Sequence, residues 1–167
     1  LSISNGMVDH IEPEKSCSCG HEVKRFLAGR LTSACEKESR RSQKLMFEKL
    51  ETVIADCYEL QPIVRADSRG KFVKTFHSEY FAENGLETSF PEQYYSVSRK
   101  GVLRGMHFQL PPHGHSKIVY CTAGTILDVA LDLRAGSATY AQHISLEISA
   151  DKGNMLYLPE GLAHGFY

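Results

Sequence analysis

The chain has 167 residues, 42% of them hydrophobic and 23% charged, which suits one globular domain large enough to enclose a pocket. Lys and Arg (19) nearly balance Asp and Glu (20), so there is no overall electrostatic drive toward nucleic acid or an anionic membrane, and an anionic ligand would need a local basic cluster. No run approaches the roughly eighteen apolar residues of a membrane helix, the first thirty positions lack a signal peptide's apolar stretch, and the cysteines are five and irregularly spaced; together these predict reduced thiols and a cytoplasmic protein.

Residues 1–45 differ in texture from the rest. NGMVDHIEPEK, CSCGHEVKRFLAGR and CEKESRRSQK show no sustained period of 2 or 3.6, and read as a flexible or weakly helical extension. Cys17, Cys19, His21 and Cys35 could bind zinc in principle, but Cys-x-Cys-x-His is not a common finger spacing. The domain boundary is placed at Met46, giving a domain over 46–167. Leu1 is no initiating Met, and the apolar pattern at Tyr167 is unfinished, so the chain reads as a piece of a longer protein.

From Met46 onward, short strand-like runs alternate with turn signals about every ten residues, the pattern of an all-β sandwich or barrel. One helix is predicted in SEYFAENG, with Ser78 as N-cap, an acid in the first turn and Gly85 as the stop. In TILDVALDLR, Leu127, Val129, Leu131 and Leu133 form one face and Asp128, Ala130, Asp132 and Arg134 the other, so the leucine face is expected to be the greasy one. HISLEIS repeats the alternation, with Ile144, Leu146 and Ile148 on one side. Turns are predicted at Ala123-Gly124, Ala135-Gly136-Ser137 and Asp151-Lys152-Gly153.

GVLRGMHFQLPPHGHSKIV, residues 101–119, holds three histidines within nine positions beside Arg104 and Lys117. They could be metal ligands, a proton-transferring base with charged helpers, or solvated loop residues. Gly153 to His164 has the spacing of the second signature of the cupin jelly rolls, which it resembles. Metal-binding cupins add a His-x-His pair and a nearby glutamate; His113 and His115 supply the pair, but residues 116–120 contain no carboxylate. An ammonium ion beside a divalent cation is repulsive, so Lys117 speaks against a metal.

The motifs DSRGKF, VLRGMHFQ, SKIVY, DVALDLRAGS and LPEGLAHGF together resemble the dTDP-4-dehydrorhamnose 3,5-epimerase family, a metal-free group of cupin-type jelly rolls. The resemblance implies that an intact enzyme inverts centres beside the C4 ketone of a nucleoside-diphosphate 4-keto-6-deoxyhexose. In this reading His107 is the base that removes the proton next to the ketone and Lys117 stabilises the enolate. Arg69 and Arg104 hold the diphosphate, His164 contacts substrate, and neither metal nor organic cofactor is required. A homodimer is implied in the same way.

Other positions depart from the family. Lys74 stands where an acidic residue helps hold the nucleotide, and Glu92, Gln93 and Tyr94 replace a Gln-Asp-Asn contact stretch, so these substrate-contact positions carry altered chemistry. The family's general acid is a tyrosine beyond the His-Gly-Phe motif, and Tyr167 comes too early to be it. Asp128 could orient a base or bridge to Arg134. His113 and His115, after Pro111-Pro112, read as exposed loop residues, and His77 and His143 as structural. The rival readings are a 3,4-ketoisomerase, a metal-dependent cupin oxygenase and a non-catalytic sugar-binding cupin.

Overall fold

The computed structural model describes residues 46–167, which form part of one structural unit. The predicted extension over residues 1–45, with its Cys17, Cys19, His21 and Cys35, lies outside the described residues. Among the described residues, no helix is long and apolar enough to cross a membrane.

Ten strands and one helix follow in order: β1 (Phe47–Glu51), β2 (Tyr58–Pro62), β3 (Arg65–Asp67), β4 (Gly70–Phe72), α1 (Ser78–Glu83), β5 (Arg104–His107), β6 (Lys117–Tyr120), β7 (Thr125–Asp132), β8 (His143–Ser149), β9 (Met155–Leu158) and β10 (Leu162–Phe166). They build two antiparallel four-stranded sheets, β1-β2-β9-β6 and β5-β10-β7-β8, with β3-β4 as a separate hairpin. This is the all-β, cupin-type jelly roll with one short helix that the sequence predicts. The three predicted turns fall between β6 and β7, β7 and β8, and β8 and β9.

Strand β9, MLYL, is buried along its whole length because apolar groups cover both its faces. Leu156 and Leu158 pack with Ile54, Cys57, Ala130, Ile148 and Leu162, side chains drawn from both sheets, and so form the interior of the sandwich. Met155 and Tyr157 instead meet Phe47, Leu60, Tyr80, Phe81 and Leu86, an aromatic cluster that seats α1 on the outer face of the first sheet. Phe81 meets Phe47 edge-on at 5.9 Å and Phe76 at 4.9 Å.

The helix begins one residue earlier than predicted. His77, in an extended conformation, is the N-cap, and its Nδ1 accepts the Tyr80 N–H at 3.3 Å; Ser78 is already helical. A neutral imidazole nitrogen serves as an acceptor just as a serine hydroxyl would. Gly85, at φ +68°, ends the helix as expected.

The two faces of β7 are reversed from the expectation. Asp128, Ala130 and Asp132 are buried, while Leu127 is 45% exposed and Val129 and Leu131 only partly covered. Alternation shows which side chains share a face, but partners decide which face turns inward. Asp132 turns in because a full set of donors meets it: the Arg134 backbone N–H, Nε and Nη2 at 2.9, 3.0 and 2.9 Å, and the Ser137 and Thr139 hydroxyls at 2.7 Å each. Arg134 continues to Asp56 at 3.3 Å and to the Ala55 carbonyl at 2.7 Å. The network thus ties the β7–β8 connection to the β1–β2 connection. In β8 the predicted side, with Ile144, Leu146 and Ile148, does face the core.

The Arg134 guanidinium and the two hydroxyls hold the Asp132 carboxyl far below the usual carboxylate range. Its ionised form therefore stabilises the fold above the unfolded-state value near 4, and that stabilisation drains away as pH falls. Asp132→Ala is expected to cost about 3 kcal/mol near neutral pH, since it strands Arg134 and two hydroxyls. In urea titrations the gap between wild type and variant should narrow steadily below about pH 4.

Candidate active site

Strand β5 carries the RGMH motif, and its approach to β10 depends on two glycines. A Cβ on Gly105 would lie 2.5 Å from Gly165 Cα, and one on Gly165 would lie 2.8 Å from the Arg104 carbonyl oxygen, so neither position admits a side chain without moving backbone. Because the strands pair here, His107 falls in register with His164. The two imidazoles stand 6.0 Å apart, edge to face.

His164 is buried, and its Nδ1 lies 3.3 Å from Oδ2 of the fully buried Asp128. Burial pushes the Asp128 carboxyl up, and His164 and Lys117 act against that rise. Its other oxygen, Oδ1, has no hydrogen-bond partner. An unpartnered carboxylate oxygen in the interior calls for a donor, which a bound hydroxyl could supply.

On β6, Val119 packs into the interior cluster while Ile118 and Tyr120 pack on the outer aromatic cluster. Alternation therefore turns Lys117 inward, on Val119's side. Half-buried, its ammonium loses protons more readily than usual through desolvation, while Asp128 and Glu92 oppose that shift.

An open cleft of about 420 Å³ is lined by Pro91, Glu92, Gln109, His113, Gly114 and His115. His113 is in the exposed loop, as predicted, and His115 is half-buried; both face this cleft. The Glu160 side chain lies against Gly114, where any side chain would collide with it. Gln93 Nε2 donates to Tyr120 Oη at 3.2 Å, and Tyr94 is 76% exposed.

The remaining candidates lie apart from this group. Arg104 Nε donates to Ser98 Oγ at 3.0 Å, and Arg104 lines a separate apolar cavity of about 240 Å³ with Leu103, Met106, Leu127, Val129 and Phe166. Arg69 is on the β3-β4 hairpin, 88% exposed and paired with Asp67 at 2.7 Å. Lys74 Nζ is 3.8 Å from Met46 Sδ. The structure thus gathers His107, Lys117, Asp128 and His164 in one neighbourhood, and pairs Asp128 with His164 rather than Arg134, whose partners are Asp132 and Asp56. The Asp128–His164 pair was hidden in the sequence, since the two residues are 36 positions apart; the signal was a histidine and an aspartate on strands that turn out to be neighbours. Among the described residues, no three His, Cys, Asp or Glu side chains are grouped to hold a metal ion.

Comparison with known proteins bears on the family and the fold. The family model described as dTDP-4-dehydrorhamnose 3,5-epimerase matches residues 51–167. The Shigella flexneri dTDP-4-dehydrorhamnose 3,5-epimerase is 40% identical over 118 residues, 70% of this chain and 65% of that protein, so the chain spans just under two thirds of this relative. The crystal structure of the Elizabethkingia anophelis NUHP1 dTDP-4-dehydrorhamnose 3,5-epimerase superposes with a TM-score of 0.68 at 38% identity, covering 72% of this chain and 67% of that one. A Legionella pneumophila Philadelphia 1 dTDP-6-deoxy-D-glucose-3,5-epimerase in complex with dTDP-4-keto-L-rhamnose gives 0.69 at 34%, covering 72% and 64%. On sequence and fold alike, the chain belongs to the dTDP-4-dehydrorhamnose 3,5-epimerase family.

Proposed function

We propose that this chain carries the base-bearing part of a nucleotide-sugar epimerase acting on a nucleoside-diphosphate 4-keto-6-deoxyhexose. The observation that carries the reading is His107 set opposite the buried His164–Asp128 pair, with the half-buried Lys117 on the same interior. His107, exposed to the site mouth, takes the proton from the carbon beside the ketone. The C–H electron pair moves into the enolate, and the Lys117 ammonium stabilises the oxygen's new charge. When His164 gives its Nδ1–H to Asp128, Nε2 is left to accept from a sugar hydroxyl. Inversion then needs a proton returned on the opposite face, a role the family resemblance assigns to a tyrosine beyond the His-Gly-Phe motif. Acid–base chemistry alone balances this reaction, so it calls on neither metal nor organic cofactor.

Arg69, Arg104, Lys74, Glu92, Gln93 and Tyr94 are proposed contacts to the nucleotide end. A homodimer belongs to the same reading. Supporting that state, Leu103, Met106 and Leu127 leave an apolar surface exposed around the Arg104 cavity. A cytoplasmic location belongs to the same proposal, supported by the free thiols Cys57 and Cys121.

In heavy water, the full-length enzyme should incorporate deuterium beside the ketone. His107→Ala should abolish that incorporation, and Lys117→Met should slow it by about 10²-fold or more. Retained incorporation in His107→Ala would remove His107 as the base, and a moved carbonyl in proton NMR would mark a ketoisomerase instead.

Asp128→Asn separates fold from function. Because burial raises the Asp128 carboxyl, its ionised form costs the fold increasing stability as pH rises past about 4. At pH near 8 the variant should melt no lower than wild type, while its exchange rate falls as the imidazole loses its anionic partner.

Leu127→Arg puts a charge on the apolar outer face. Sedimentation equilibrium should show the wild-type dimer giving way to a monomer, with the circular dichroism spectrum unchanged.

A further inference from the structure

The wall of the open cleft that carries Pro91 and Glu92 belongs to a segment with little backbone support. Residues 92–98 form neither helix nor strand, and residues 91–100 are exposed throughout, so no ladder of backbone hydrogen bonds sets their course. Side chains set it instead. Gln93 Nε2 donates to Tyr120 Oη at 3.2 Å, and at the far end Arg104 Nε donates to Ser98 Oγ at 3.0 Å. A third tie lies just upstream, where the Glu87 backbone N–H donates to Tyr157 Oη at 3.1 Å and that phenol donates to Ser116 Oγ, ahead of β6, at 3.4 Å.

The tyrosines are the fixed partners in these ties. Tyr157 is a buried member of the aromatic cluster, and Tyr120 packs against the same cluster from β6, in register with Met155. A ring held by close packing presents its hydroxyl at a fixed point. Gln93 lies on an exposed connection and has no such seat. The place of its carboxamide, and with it that of the flanking Glu92 and Tyr94, therefore follows from the phenol.

We propose that Tyr120 is a positioning residue for ligand binding: its phenol, anchored against the aromatic cluster, holds Gln93 and so presets residues 92–94 for the nucleotide end of the substrate. This deepens the nucleotide-sugar reading and rests on it for the contacts that residues 92–94 make. A segment already held in its bound form loses less conformational freedom when the ligand arrives, so losing the tie shows as weaker binding.

Calorimetric titration of the full chain with dTDP tests the idea. Tyr120→Phe, which keeps the ring and removes only the hydroxyl, should weaken binding about three- to tenfold. Gln93→Ala should weaken it at least as much, and adding Tyr120→Phe to Gln93→Ala should cause no further loss, because the tie is already gone. Tyr80→Phe is the structural control: it removes a hydroxyl of the same cluster that donates to the Phe47 carbonyl, so it should melt lower and still bind dTDP as wild type does. Wild-type affinity in Tyr120→Phe, losses that add in the double variant, or an equal loss in Tyr80→Phe would overturn the proposal. Wild-type affinity in Gln93→Ala, or no dTDP binding by wild type, would remove the nucleotide-end assignment and the proposal with it. The epimerase chemistry is tested separately, by deuterium incorporation.

Discussion

Two carboxylates point into the sandwich from one strand, four residues apart, and the site depends on how differently they are met. Asp132 receives five hydrogen bonds from a guanidinium, a backbone N–H and two hydroxyls, and its proton affinity is driven down. Asp128 has one imidazole and an oxygen with no partner, and burial drives its proton affinity up. The first carboxylate spends its hydrogen-bonding capacity on holding the connections at one end of the sheet. The second keeps capacity in reserve, which is the state expected of a group that meets a ligand.

Backbone geometry then sets what Asp128 can work with. The paired glycines let β5 lie against β10 closely enough that His107 and His164 share a register position. β10 also pairs with β7, which brings His164 to Asp128. The double-sided burial of β9 makes the frame rigid, since the interior cluster lies on one face and the aromatic cluster beneath α1 on the other. The separation of the two imidazoles is thus a by-product of sheet order.

Much of this was legible in the residues. The strand and turn rhythm predicts the all-β fold, and Gly85 marks the helix end because a left-handed residue there favours glycine. Two details were misread for physical reasons, and one alternative was left open. The N-cap shifted to His77 because an imidazole nitrogen can replace a hydroxyl as acceptor. Of the two partners open to Asp128, an imidazole or Arg134, the structure supplies an imidazole, because Asp132 already claims that arginine. The leucines of β7 turned outward because the aspartates had partners inside.

The sequence by itself determined the period of each strand, the places where the chain must turn, the family, and the residue types able to move a proton and stabilise an enolate. These are local properties, set by side-chain alternation, by glycine's backbone freedom and by functional-group chemistry. Tertiary structure alone decided which face of β7 is interior and which imidazole meets Asp128. Those outcomes hang on contacts between residues tens of positions apart, and a one-dimensional pattern carries no record of which strands become neighbours.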